Sequence, residues 1–249
     1  MKKILLMLSA VVLFGCNNSM EKSNSIEAIE TAHKKEDFLK QKGIQFDIKL
    51  IFGGKERLTG RMTLLTNSSK GLIELKDSSM IYFDNQKVYS SPALKNKKGI
   101  RFDAYTWSYF FLFPYKLSDP GTIWANTEEK QLNGETYNAH KLTFESNVGD
   151  APDDWYLVYA DPNSGIINYS AYIVTANKSV EKAEEDPHAI EYLNYSEIDG
   201  IPLAHEWKFW GWRAQEGLTK ELGSGVISNI QFINDTELLK TVPKHLIEV

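Results

Sequence analysis

Cysteine is almost missing from this chain: Cys16 is alone among 249 residues. An internal disulfide is therefore excluded, and the fold must stand on packing and strand pairing. Basic clusters are missing too. Lys and Arg total 28 against 33 Asp and Glu, for a formal charge of −5. No basic run is interleaved with aromatics, which argues against nucleic acid as a partner. After residue 15 no apolar stretch approaches the length of a transmembrane helix. There is no G-x-S-x-G elbow, no phosphate-cradling glycine loop and no dinucleotide fingerprint. No two of His33, His140, His188, His205 and His245 stand at metal-ligand spacing, and Asp150, Asp153 and Asp154 around Pro152 do not form a calcium loop. No cofactor, metal or catalytic motif is expected.

The first residues are unlike the rest. Lys2 and Lys3 precede an apolar stretch, Ile4 to Phe14, that is too short to span a bilayer. Leu13-Phe14-Gly15-Cys16 then resembles a bacterial lipoprotein processing box. That resemblance implies cleavage before Cys16 and acylation of Cys16. The expected organisation is a leader at 1–15, an acylated Cys and polar tether at 16–25, and one domain at 26–249. Asn17, rather than Asp, follows the cysteine, which points to the outer membrane, facing the periplasm.

Aromatic residues make up 12% of the chain, too many for a disordered one. A helix is expected at about 26–41, with Asn24 and Glu27 as a capping box and Ile26, Ile29, Ala32 and Leu39 as its apolar stripe. Clean alternation follows. Ile44, Phe46, Ile48, Leu50 and Phe52 alternate with Gln45, Asp47 and Lys49, and 57–66 repeats the pattern. This is the signature of antiparallel sheet with one apolar face. Further strands are expected at 71–76, 79–84, 86–90, 121–131, 136–146, 155–160, 165–175, 188–198, 202–213 and 224–234. Gly53-Gly54, Asn133-Gly134 and Asp199-Gly200 supply turns. The fold class is therefore mainly β: one large antiparallel curved sheet of about 10–12 strands, with an N-terminal helix.

The middle of the chain interrupts this pattern. Residues 102–115 read FDAYTWSYFFLFPY, eight of fourteen aromatic. Trp107, Phe110, Phe111 and Pro114 fall at helical spacing, and Asp103 is placed to cap the helix. Such a helix must find a surface, because burying each aromatic is worth about 1.5–3 kcal/mol. It either plugs the sheet as core or roofs an apolar hollow.

Strand parity places His140 with Leu142 and Phe144, and His205 with Leu203, Trp207 and Phe209. Both imidazoles are thus expected on the apolar side, as hydrogen-bonded core groups or as polar groups of a cavity. Trp210 and Trp212 take the opposite face, exposed or covered by the N-terminal helix.

The order of elements resembles the LolA/LolB superfamily of half-barrels: leader, helix, antiparallel strands, internal helical lid, more strands. The local match is Gly134-x-x-Tyr137 leading to Leu142-x-Phe144, then the strand 155–160 ending in Asp161-x-x-x-Gly165. The chain also resembles uncharacterised exported lipoproteins of that fold. The resemblance implies a concave apolar surface that binds lipid, a lipoprotein acyl chain or another hydrophobic molecule, without catalysis. Trp107, Phe110, Phe111, Phe144, Trp207 and Phe209 are the expected ligand-facing residues, with His140 and His205 as polar cavity groups. Partners would be that ligand and the membrane. The alternatives are an envelope scaffold with a filled core, or a hydrolase built on His140, His205 and a carboxylate.

Overall fold

The computed structural model describes the backbone of residues 17–249 and the side chains of residues 25–125 and 128–249. Cys16 and the leader lie outside the described residues. Two helices, α1 (Asn17–Ala32) and α2 (Lys35–Lys40), precede β1 (Gly43–Phe52), β2 (Lys55–Leu65), β3 (Lys70–Leu75), β4 (Met80–Asp84) and β5 (Val88–Ser90). Helix α3 (Ile100–Leu112) follows, with a 3-10 turn, Phe113–Tyr115, at its end. Next come β6 (Thr122–Leu132), β7 (Glu135–Phe144), β8 (Tyr156–Ala160), β9 (Ile167–Tyr172), a short α4 (Val180–Glu184), β10 (His188–Ile198), β11 (Ile201–Arg213), β12 (Gly217–Ile233) and β13 (Ile247–Glu248).

The strands form one antiparallel sheet in the order β13-β5-β4-β3-β2-β1-β12-β11-β10-β9-β8-β7-β6, curved and unclosed. The half-barrel expectation is met with 13 strands among the described residues. The extra strand, β13, is two residues long and pairs with β5, too short to leave a periodic signal. Turn chemistry acts as expected. Asn133-Gly134 and Asp199-Gly200 both have positive φ at each position, the requirement of a two-residue I′ hairpin.

The N-terminal helix differs from the expectation. α1 begins at Asn17, so Asn24 lies inside it rather than at its cap, and 17–25 is helical rather than a tether. It stops at Ala32 because Lys34 takes a left-handed conformation, φ 57. The break drops His33 into the core and re-aims α2. Phe38, rather than Leu39, is then buried, stacked on Tyr115 at 3.7 Å, while Leu39 is 44% exposed.

The two faces carry separate clusters. The inner face holds the main core, with α1, α2 and α3 packed against it. On the outer face, Trp212 packs with Leu132, Tyr137, Tyr159 and Tyr169, and Trp210 donates to a buried Glu191 at 2.9 Å. Both tryptophans take the outer face as parity requires, but sheet side chains, not the N-terminal helix, are their company. At the other end of the outer face, Leu239 and Leu246 of the C-terminal segment cover Leu72 and Tyr82.

Candidate functional site

β5 and β6 stand at or beside opposite ends of the sheet, so the segment that joins them, 91–121, must cross its whole width. The apolar choice is to cross over the inner face, and α3 does so. Gly99, at φ 80, turns the chain into it. Ile100, Ala104, Trp107, Phe110, Phe111 and Leu112 are buried. Phe111 stacks on Phe46 of β1 at 3.9 Å, Trp107 meets Phe209 of β11 at 5.9 Å, and Phe110 meets Tyr172 of β9 at 5.0 Å. One helix thus touches strands from both halves of the sheet.

Polar ties fix its two ends. Asp103 does not cap α3, because the helix already begins at Ile100. It lies in the first turn, fully buried, where one carboxylate oxygen takes Arg57 of β2 at 2.6 Å and the indole N–H of Trp107 at 2.9 Å. Its other oxygen is buried without a partner. Burial pushes the Asp103 carboxyl above the usual carboxylate range, against the pull of Arg57. At the other end, the Tyr192 hydroxyl donates to the Phe110 carbonyl at 3.0 Å, one of the last-turn acceptors a helix leaves open. Between them, Tyr105 donates to the Asp84 carbonyl at 2.8 Å. The Arg101–Asp150 ion pair is largely in water and adds little.

Little space remains under the helix. A crevice bounded by Phe111, Tyr115, Tyr192, Tyr195, Leu203 and Trp207 measures about 10 Å³, room for a single water. A broader depression of about 470 Å³ lies elsewhere, as open surface between α1 and Ser164. The aromatic helix is therefore roof and filling at once. The hollow that the sequence leaves open as empty or plugged is plugged in this structure.

The structure gathers Trp107, Phe110, Phe111, Trp207 and Phe209 in that core. Phe144 sits at its margin, half-buried against Tyr156 at 6.1 Å. His140 is buried near Trp124, and burial lowers its pKa. His205 is not with it. It is partly exposed and bonded to Ser196 at 2.7 Å, a correction to its inward placement. Asn194, opposite His205, has φ 54, within a β10–β11 register that runs on unshifted. Tyr192 and Tyr195 both turn inward, Trp207 and Ala204 opposite them do likewise, and His205 is left outside. β7 and β11 are also four steps apart, roughly 19 Å along the sheet at about 4.8 Å per step. The structure shows no contact between His140 and His205.

Sequence reasoning missed Arg57 with Asp103, and a group of tyrosines, Tyr109, Tyr156 and Tyr172, beside the C-terminal half of α3. The inward parity of Tyr156 with Val158 and Ala160 was a signal for the second. No local pattern could have paired residues 57 and 103.

A family model described as "Family of unknown function (DUF6503)" matches residues 80–215. No curated protein matches the chain in sequence. Among solved structures, a LolA superfamily protein from Nitrosomonas europaea is similar, at 11% identity and TM-score 0.54, over 86% of this chain and 97% of that one. A DUF1329 family protein from Desulfovibrio piger gives 11% and 0.52 over 86% and 98%. A domain described as outer membrane lipoprotein-sorting, from Vibrio parahaemolyticus, gives 13% and 0.50 over 85% and 94%. At such identities the likeness is one of fold, and the fold is LolA-like.

Proposed function

The chain belongs to the Family of unknown function (DUF6503), and we propose that it is an envelope lipoprotein, acylated at Cys16, that holds a hydrophobic chain against the inner face of its half-barrel. One observation carries this reading. α3 presents Trp107, Phe110 and Phe111 to the inner face as an apolar guest would, while its polar ties are few. Ligand and helix compete for one surface. Exposing Trp107, Phe110, Phe111 and Phe113 costs on the order of 10 kcal/mol at about 1.5–3 kcal/mol each. An acyl chain of about 15 carbons recovers roughly 12 kcal/mol at about 0.8 kcal/mol per CH₂. The exchange is nearly balanced, so binding is reversible and the empty protein closes on itself.

The fold shared with the LolA superfamily protein and with the lipoprotein-sorting domain supports lipid or a lipoprotein acyl chain as the guest. The location proposed is the outer membrane, facing the periplasm, with residues 1–15 as leader and a single domain beyond the anchor. The role is one of binding, not catalysis.

The test is uptake of a fluorescent long-chain fatty acid by the purified protein. Phe110→Asp should weaken uptake by at least about tenfold, because a carboxylate on the inner face must be desolvated when the guest binds. A well-folded wild-type protein that takes up nothing would remove the proposal. The 10 Å³ crevice favours the rival reading, an interaction module whose helix is permanent core. Native mass spectrometry of protein from its own host separates the two. Co-purifying lipid favours the anchored lipid binder, and a protein partner without lipid favours the module.

A further inference from the structure

Six of the twelve tyrosines have their hydroxyls seated on an acceptor. Tyr82, Tyr105, Tyr115, Tyr169, Tyr192 and Tyr195 each donate a hydroxyl to a backbone carbonyl or to Glu191. That is the normal state of a phenol taken from water. Tyr109, Tyr156 and Tyr172 make no such bond, and none of their hydroxyls is a sealed, unsatisfied atom of the core. These three touch one another. Tyr109 of α3 lies 5.4 Å from Tyr156 of β8, which stacks at 6.0 Å on Tyr172 of β9.

Their surroundings place this cluster at the edge of the main core, the mouth of the inner face. Tyr172 leads on to His188 at 5.8 Å, a partly exposed imidazole at the start of β10. Phe144, half-buried, closes the other side. Asp154 stands beside the three phenols and is itself buried, with one oxygen held by the Thr175 amide and hydroxyl at 2.8 and 2.7 Å. Burial and this carboxylate push all three phenols up, so each stays protonated and can both donate and accept. Lys178, on the exposed loop before α4, is the cation whose charge reaches Asp154 and His188, but it is no ring partner of the phenols.

We propose that this mouth receives the neutral, hydroxyl-bearing head group of a lipid whose chain lies under α3. Aromatic rings stack on its C–H faces, and the unpartnered phenols exchange hydrogen bonds with its hydroxyls. The buried Asp154 carboxylate turns away a phosphate or carboxylate head group by like charge. Because Tyr109 rides on α3, the head group is contacted by the moving helix and by the fixed sheet together. This assignment rests on the acyl-binding reading above.

Displacement of a bound fluorescent fatty acid tests it, with 1-monopalmitoylglycerol, palmitate and 1-palmitoyl lysophosphatidic acid as competitors. Wild-type protein should favour the monoacylglycerol over the lysophosphatidic acid by roughly tenfold, the yield of one or two hydrogen bonds. The variant Tyr109→Phe/Tyr156→Phe/Tyr172→Phe keeps the rings and Asp154, and should cut that preference by about threefold while still binding the probe. Equal displacement by the three competitors, or an unchanged preference in the variant, overturns the head-group assignment and leaves acyl binding standing. Failure of wild type to bind any probe overturns both. If the triple variant melts early, the wild-type ranking alone decides.

Discussion

Arg57→Ala should lower the stability of the folded protein by about 3 kcal/mol, and Arg57→Met with Asp103→Leu should recover most of that loss. The asymmetry follows from burial. Asp103 is fully buried with one oxygen already unpartnered, whereas Arg57 is 31% exposed. Removing Arg57 leaves the carboxyl with the Trp107 indole as its hydrogen-bond donor and the more distant charge of Lys97. Removing both charges leaves an apolar contact under the first turn of α3. Urea denaturation measures both variants. The same substitution should speed uptake of the fatty-acid probe, because the helix becomes easier to lift from its N-terminal end. A loss of stability with unchanged uptake kinetics would show that the pair holds the fold but not the gate.

Acid should destabilise the protein through His33. That imidazole is fully buried. Its Nδ1 donates to the Ile29 carbonyl at 2.9 Å and its Nε2 accepts from the Ile167 amide at 3.5 Å, with Tyr195 against its ring. The neutral form satisfies both contacts, and burial lowers its pKa from 6.5 to about 4. A histidine depressed in the fold gives stability that is complete above pH 6.5 and lost as pH falls toward 4. The loss reaches about 3 kcal/mol at 1.36 kcal/mol per unit. Asp103 and Asp154 act in the opposite sense. Burial raises both, so their contribution grows as pH falls and is lost as pH rises through their folded values. The His33 share is therefore read by difference. His33→Gln should flatten the acid limb between pH 6.5 and 4 relative to wild type, followed by thermal melts across that range. Parallel limbs in the two proteins would mean that His33 does not govern acid sensitivity.

Much of the fold could be read along the chain because its determinants are local. The alternation of Ile44, Phe46, Ile48 and Leu50 is buried as written, and Asn133-Gly134 turns where those residues dictate. The aromatic helix was readable for the same reason, and its placement follows from having nowhere else to bury. What stayed hidden depends on partners far along the chain. The left-handed turn at Lys34 goes with a buried seat for His33 beside Ile167, 134 residues away. Asp103 looks like a cap until Arg57, on another strand, draws it inward. His205 shares parity with Trp207 and Phe209, but its ring bonds to Ser196 at the surface. The phenol mouth required knowing which hydroxyls had already found acceptors, which only the assembled sheet tells.

The central claim is that α3 occupies the guest's place and leaves it when the guest arrives. Spin labels at Thr106→Cys on α3 and Lys49→Cys on β1, in a Cys16→Ser background, measure this by double electron–electron resonance. Saturating long-chain lipid should lengthen the interlabel distance by about 10 Å, the width of the helix that must clear the face. A distance distribution unmoved by lipid that is demonstrably bound would contradict the account.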